Sequence, residues 1–212
     1  PILFYTKSVH KENKVMKNKQ VFRITMTALM AAMCYVGFSY IKFDIPVGPT
    51  WTTIHLGNTF CALAALLLGG VYGGAAGAIG MSIGDLLDPK YVLYAPRTIL
   101  LKMLMGFIIG TVAHKVFKIT KENTKKRSLK VYLSVASGML VNIMIEPCIN
   151  WLFYKFVLNA PEKVATAFAG VKFLSYTINA VFAIIIGGTI YLAVYSRMKN
   201  STVFKDMLGE KY

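Results

Sequence analysis

The chain has 212 residues, of which 56% are hydrophobic and only 16% are charged. A soluble domain of this size carries more charge because its surface faces water, so this composition indicates an integral membrane protein rather than a soluble enzyme. The formal net charge is +15, but most of the basic residues lie in the two tails and in one loop, between long apolar runs. This distribution is typical of the cytoplasmic loops of a membrane protein and argues against nucleic-acid binding.

Six apolar runs follow one another along the chain, and their lengths are those of transmembrane helices or close to them. The runs cover residues 21–41, 56–69, 71–87, 97–117, 131–155 and 171–196. We therefore predict an all-α integral membrane protein with six transmembrane helices, whose membrane domain covers residues 17–199. Residues 1–16 are predicted to be a tail or an added extension, because Met16 opens a more ordinary start. Residues 200–212 are predicted to be a cytoplasmic tail.

The segment between the first two runs contains Pro46 and Pro49 and is too polar to form a helix. We interpret it as an extended, structured loop or lid. The segments 88–96 and 156–170 are also predicted to be loops. Within the fifth run, Pro147 cannot donate its backbone hydrogen bond, so the helix can kink there.

The basic residues predict the orientation of the chain in the membrane. The N-terminal tail, the 118–130 loop and the C-terminal tail are heavily basic. Six crossings place all three on one face of the membrane, and the positive-inside rule makes that face cytoplasmic. Both termini are then cytoplasmic, the first loop is extracellular, and the protein is expected to be a multi-pass protein of a bacterial cell membrane.

Ionisable and amide side chains are costly in hydrocarbon, so they usually face the interior of a helix bundle and serve a purpose. Those within the predicted spans all fall in the outer half of the membrane or near its midplane. They are Asn58, Asp85, Lys102, Asn142, Glu146, Asn150, Tyr176 and Asn179. A proton relay or ion pump needs polar groups at several depths, whereas a pocket that opens to the outside needs them on one side only. The sequence therefore predicts an outward-facing pocket.

The fifth run carries three polar residues at a spacing of four, so that Asn142, Glu146 and Asn150 share one helix face. Lys102 on the fourth run is the natural partner of Glu146. Three interpretations remain open at this point. The pair could hold two helices together, it could belong to a ligand site, or Lys102 could extend to the membrane interface instead.

Small residues are spaced so that helices can approach one another closely in lipid. The third run carries a stripe formed by Gly73, Gly77, Gly80 and Gly84. We expect this stripe to pack inside the bundle. On the first run, Ala28 and Ala32 form a small-xxx-small motif that either packs internally or marks a surface for a partner protein.

The sequence offers little support for catalysis or metal binding. It contains no Gly-x-x-x-x-Gly-Lys-Ser/Thr loop, and no nucleophile or triad arrangement stands out. His55, Asp85 and Asp88 lack the regular spacing of metal ligands, and the three cysteines lie singly in apolar runs. We expect neither an enzyme nor a metal or cofactor.

Several segments together carry a resemblance to a known family. They are Ala28-x-x-x-Ala32, His55-Leu56-Gly57-Asn58, Leu68-Gly69-Gly70-Val71-Tyr72-Gly73, Gly84-Asp85-Leu86-Leu87, and Tyr94-Ala95-Pro96-Arg97-Thr98 with Lys102 and Gly106. From about Lys17 to Lys199 the chain resembles the S components of energy-coupling factor (ECF) transporters, the vitamin-capturing subunits of a bacterial importer. The combination of segments is specific to this family, although no single segment is.

The resemblance implies that a vitamin binds near the extracellular side, under the first loop. It also implies docking through Ala28 and Ala32 on a transmembrane coupling subunit, which two cytoplasmic ATPases drive. The implied ligand contacts are Trp51, His55, Asn58, Asp85, Lys102, Asn142, Glu146, Tyr176 and Asn179. Hydroxymethylpyrimidine or pyridoxine is the favoured ligand, and pantothenate, riboflavin, folate and thiamine are alternatives. A self-sufficient small secondary transporter is a further alternative.

Overall fold

The computed structural model describes residues 2–47, 50–121 and 124–198. The first half of the chain forms α1 (Ile2–Ser39), a hairpin of β1 (Lys42–Val47) and β2 (Thr50–His55), α2 (Gly57–Leu68) and α3 (Gly70–Leu87). The second half forms α4 (Ala95–Thr111), α5 (Thr124–Leu152), α6 (Glu162–Phe182) and α7 (Gly188–Met198). Short π-helical turns extend three of these helices, at Val112–Val116, Phe153–Val157 and Ala183–Gly187.

In the part of the chain that the structure describes, four helices are long and apolar enough to cross a membrane. They are Lys19–Ser39, Val92–Val116, Lys125–Val157 and Glu162–Arg197, the last of which joins α6 and α7. The helix α2 is apolar but only 12 residues long, and α3 has 18 residues that are rich in glycine. The architecture is therefore that of a helical membrane protein, and the count of six crossings stays a prediction.

Three helices begin earlier than the apolar runs predicted. The helix α1 begins at Ile2, α5 begins at Thr124, and α6 begins at Glu162 inside the predicted loop 156–170. The added turns of α5 are polar, and those of α6 begin with two charged residues, but most of the added residues are good helix formers. Pro161 is favourable just before a helix because its φ is already fixed near the helical value. A search for long, uninterrupted apolar runs misses turns that contain charged residues.

The first loop is extended, as predicted, but it forms an antiparallel hairpin, so the fold is not strictly all-α. The pairing runs from Lys42 opposite His55 to Val47 opposite Thr50. β-branched residues at 52–54 favour an extended backbone. Pro46 is tolerated in β1 because a two-stranded ribbon has free edges, where a missing N–H costs no ladder bond.

The glycine stripe of α3 packs inside the bundle, as the sequence predicted. The helix α3 contacts α1, α2 and α4. A methyl group added at Gly73 would overlap the backbone of Ala65 in α2, and one at Gly80 would overlap the carbonyl of Ala31 in α1. On the third side, Gly106 of α4 meets the α3 backbone directly. These close approaches fix α1 to α4 against one another, while α5 packs on α4 and α6, and β2 packs on α6.

Candidate functional site

A polar cavity lies beneath the hairpin, where the ends of α3, α4, α5 and α6 meet. It has about 60 Å³ of free space, and β2 forms one of its walls. Five charged side chains line it: Asp85, Arg97, Lys102, Glu146 and Lys172. Of the polar residues that the sequence placed in the outer half of the bundle, Asp85, Lys102, Glu146 and Tyr176 therefore gather around one space.

A buried ion pair joins α4 and α5 at this cavity. Lys102 of α4 donates to Glu146 of α5, and each residue is only 4% exposed. Lys102 Nζ also donates to Oδ1 of Asn142 at 3.2 Å. The predicted pairing is present, and the interpretation in which Lys102 extends to the membrane interface is wrong, because its charge is held inside the bundle.

A second polar link joins α4 and α5 and extends to α6. Arg97 of α4 donates to Oδ1 of Asn150, and Nδ2 of Asn150 donates to the Tyr176 hydroxyl of α6 at 2.6 Å. The Arg97 guanidinium lies over the ring of Tyr94, 4.6 Å from its centroid. Asn142, Glu146 and Asn150 thus all use one face of α5, as their spacing predicted.

The hairpin is anchored to α6 by neutral hydrogen bonds. The backbone N–H of His55 donates to Oδ1 of Asn179 at 2.8 Å, and Nδ2 of Asn179 donates to the carbonyl of Thr53 at 3.0 Å. Ser175 Oγ donates to the same carbonyl at 2.9 Å. Asn179, predicted as a ligand contact, does not line the cavity, because its amide group is engaged with the backbone of β2.

The other strand of the hairpin is tied to the segment after α3 by charged groups, which we call the outer ion-pair cluster: Lys42, Asp44, Asp88 and Lys90. Lys42 Nζ lies 3.1 Å from Oδ2 of Asp88 and 3.6 Å from Oδ2 of Asp44, which also lies 3.8 Å from Lys90. Thr53 donates to Asp44 at 2.8 Å. These groups are partly exposed, so water and salt reach them.

His55 closes one wall of the cavity. Its Nδ1 accepts a hydrogen bond from the Gly57 N–H at 3.1 Å, at the start of α2, and its ring meets the ring of Phe38 edge-on. Burial, and then the positive charges of Lys102 and Lys172, lower the pKa of His55 to about 3. The imidazole is therefore neutral at physiological pH, and His55 serves as a neutral hydrogen-bonding wall residue.

The remaining predicted ligand contacts are placed differently. Asn58 is buried but does not line the cavity, and the side chain of Trp51 lies outside the described residues. Sequence reasoning missed Arg97 and Lys172 as cavity residues. Lys172 lies four residues before Tyr176, so helical spacing could have found it. Within the described ranges, no group of three His, Cys, Asp or Glu residues is placed to bind a metal ion.

An apolar groove lies between α1 and α3, on the side of the molecule. It has a volume of about 580 Å³, and its walls include Ala28, Ala32, Tyr72, Ala75 and Ile79. Ala28 and Ala32 are exposed, so their small-xxx-small motif does not pack internally. Of the two interpretations of the motif, internal packing is wrong, and a surface for a partner stays a prediction.

Comparisons with known proteins agree with this architecture. A crystal structure of the S component for biotin from an ECF-type ABC transporter superposes with a TM-score of 0.56 over 82% of this chain and 92% of that chain, at 19% sequence identity, which shows a shared fold. A search of curated proteins gave no match. The family model described as "ECF-type riboflavin transporter, S component" matches residues 18–196. Since this match covers most of the molecule, the chain belongs to the ECF-type riboflavin transporter S-component family.

Proposed function

We propose that the protein captures a small vitamin or vitamin precursor outside the cell and depends on partner subunits to move the ligand inward. The observation that carries this proposal is the cavity beneath the hairpin, which gathers five charged side chains within a mostly apolar helical protein. Charged groups in a membrane are expensive and are retained where they have a role. Membership of a transporter S-component family supports the same function and a non-enzymatic role.

The proposed arrangement in the membrane has six crossings, with both termini in the cytoplasm and the hairpin outside a bacterial cell. The helix α4 runs from the cavity at its N-terminal end towards the basic segment 118–130. Because basic loops remain on the cytoplasmic side, the cavity then opens to the outside. Cysteine labelling from outside tests this orientation: a cysteine at Lys90 is expected to react in intact cells, and one at Lys125 only after permeabilisation.

The favoured ligand is hydroxymethylpyrimidine or pyridoxine. Both are small and flat, and both carry hydroxyl groups that can bind the polar walls. The free space of about 60 Å³ is narrow, so a small ring requires less movement of the hairpin than a tricyclic ligand. Riboflavin is the second candidate, because the matching family model carries its name.

Calorimetric titration of the detergent-solubilised protein tests both levels of the proposal. We expect hydroxymethylpyrimidine or pyridoxine to bind without ATP, and riboflavin to bind more weakly. Tightest binding of riboflavin would overturn the favoured ligand but not the function. If none of the B vitamins and precursors binds, and mass spectrometry finds no copurified small molecule, the capture function is wrong.

The α1/α3 groove is the proposed docking surface for a transmembrane coupling subunit that two cytoplasmic ATPases drive. Its walls are apolar, and the small side chains of Ala28 and Ala32 let a partner helix approach closely. Ala28→Trp fills the groove, so we expect it to abolish vitamin uptake by the assembled transporter and to leave ligand binding unchanged.

Ala167→Trp is the matched control, because Ala167 is an exposed alanine on α6 outside the groove. It should leave both uptake and binding intact. Equal loss of binding and uptake in Ala28→Trp would contradict the docking role. Uptake by this chain alone in liposomes, insensitive to Ala28→Trp, would favour a self-sufficient secondary transporter instead.

A further inference from the structure

Unsatisfied polar atoms converge on the cavity. In the described part of the chain, six buried side-chain nitrogen or oxygen atoms have no hydrogen-bond partner. Three of the six belong to cavity residues: Oγ1 of Thr52, Oδ2 of Asp85 and Nε of Arg97. Folded proteins leave few such atoms unsatisfied, because each one loses its water without gaining a partner. Their convergence indicates that a ligand completes these hydrogen bonds.

The three atoms differ in what they can accept or donate. A carboxylate oxygen only accepts a hydrogen bond, the Nε–H of arginine only donates, and a hydroxyl group can do either. A ligand that satisfies all three must therefore bring a donor to Asp85, an acceptor to Arg97, and either kind of group to Thr52.

The surrounding contacts hold these groups in place before any ligand arrives. Asp85 is only 3% exposed, and the Arg97 guanidinium is held by Asn150 and by the ring of Tyr94. The remaining carboxylate of the cavity, Glu146, is already paired with Lys102. Thr98 also hydrogen-bonds the Asp85 carboxylate, so Oδ2 is the carboxylate oxygen that remains for the ligand. Arg97 has little freedom to change the atom that it presents.

We infer that the site selects a heterocycle whose edge presents an amino group to Asp85 beside a ring nitrogen that accepts from Arg97. This inference rests on the proposed vitamin-capturing function and narrows its ligand class. An aminopyrimidine such as hydroxymethylpyrimidine has this edge, with an exocyclic amine next to a ring nitrogen, and its hydroxymethyl group suits Thr52. Pyridoxine has no exocyclic amine, so the site prefers the aminopyrimidine.

The analogue in which an oxo group replaces the amine of hydroxymethylpyrimidine provides a sharp comparison. In its neutral lactam tautomer, the ring nitrogen next to the oxo group carries a hydrogen. The oxygen then accepts and the ring N–H donates, so the donor and the acceptor have exchanged places relative to the amino compound. We expect the unsubstituted protein to bind the amino compound at least about tenfold more tightly than the oxo analogue and than pyridoxine.

Asp85→Asn then tests which residue makes this discrimination. An asparagine side chain offers a donor and an acceptor, so the part of the preference that Asp85 makes should be lost, while Arg97 still disfavours the ring N–H of the oxo analogue. The preference for the amino compound should therefore fall by at least about threefold but not disappear. Glu162→Gln neutralises a surface carboxylate outside the cavity in the same way and should keep the full preference. Calorimetric titration of the full chain in detergent gives each dissociation constant, and thermal unfolding shows whether each variant folds.

The outcomes separate this inference from the function on which it rests. If hydroxymethylpyrimidine binds but Asp85→Asn keeps the full preference of the unsubstituted protein, the role of Asp85 is wrong and vitamin capture stands. If the oxo analogue binds the unsubstituted protein as tightly as the amino compound, the inference is overturned even where Asp85→Asn does not fold. If riboflavin alone binds, both the favoured ligand and this inference are wrong.

Discussion

Breaking the buried pair between Lys102 and Glu146 should be the most damaging single change to the polar site. Each side chain is 5% exposed, so neither charge can return to water without a rearrangement of α4 and α5. Glu146→Gln leaves an uncompensated ammonium group, and Lys102→Met leaves an uncompensated carboxylate. Removing one partner of a buried pair costs about 3–5 kcal/mol. For a chain of this size, that loss lowers the midpoint of thermal unfolding by about 6–20 °C.

The double variant Lys102→Met/Glu146→Gln removes both charges and should recover most of the lost stability. Thermal unfolding of the four proteins in detergent gives the coupling free energy, which we expect to be at least about 2 kcal/mol. Purely additive effects of the two single changes would refute the argument that the pair is energetically coupled. Glu162→Gln is the control, because Glu162 pairs with Lys155 at 3.4 Å on the surface, where its side chain is 71% exposed. Its loss should cost less than about 1 kcal/mol.

The same double variant separates the two interpretations of the pair that the sequence left open. If the pair only holds α4 against α5, the double variant should regain ligand binding along with stability. If Lys102 or Glu146 contacts the ligand, stability should return while binding remains lost. Both measurements use one set of proteins, so a general folding defect is recognised directly.

Three further predictions concern packing, pH and the hairpin. Gly73→Ala should destabilise the protein by about 1–3 kcal/mol in thermal unfolding, because the new methyl group overlaps α2, whereas Gly170→Ala, with nothing within 4 Å, should be neutral or slightly stabilising. The pKa of His55 falls from 6.5 to about 3 on folding, so between these pH values the unfolded state binds a proton that the folded state does not. The free energy of unfolding is therefore unaffected by His55 above pH 6.5 and decreases as the pH falls towards 3, by about 2 kcal/mol at pH 5. Lys42→Met removes the 3.1 Å ion pair with Asp88, so bound vitamin should dissociate faster, and high salt should accelerate release in the unsubstituted protein more than in the variant.

Each of these predictions has an outcome that contradicts it. Equal stability of Gly73→Ala and Gly170→Ala would mean that α2 and α3 are not in tight contact. His55→Asn keeps an acceptor for the Gly57 N–H but does not titrate, so an unchanged pH dependence in this variant would assign the effect to another group. A dissociation rate that is independent of both salt and Lys42 would show that the outer ion-pair cluster does not hold the hairpin closed.

Placement along a single helix could be predicted from the sequence much better than contacts between helices. Apolar runs located the membrane helices, and the spacing of Asn142, Glu146 and Asn150 identified their common face, because both signals depend on positions along one helix. The partner of Glu146 could also be predicted, since Lys102 is the only lysine in the interior of the predicted spans near the same depth. Lys172 was missed because it lies at the edge of its run, where lysine is commonly an interface residue.

The role of an amide side chain could not be predicted in the same way. An amide donates and accepts hydrogen bonds, so Asn179 suits a ligand as well as a strand backbone. Only the position of β2 on α6 shows that both of its polar atoms bind the hairpin. The sequence also indicated an extended first loop but not its strand pairing. Strand register depends on the surface against which the hairpin lies, and the sequence does not show that surface.

The glycine contacts of α3 also affect which parts of the molecule can change during evolution. Because a single added carbon at Gly73 or Gly80 meets the backbone of a neighbouring helix, most substitutions at these positions are excluded, and the α1/α3 groove keeps its shape. The hairpin, α5 and α6 supply nearly half of the residues that line the cavity and do not share these contacts. Mutations there can alter part of the cavity wall while the proposed docking surface keeps its shape, so a lineage can adjust its ligand without redesigning its assembly.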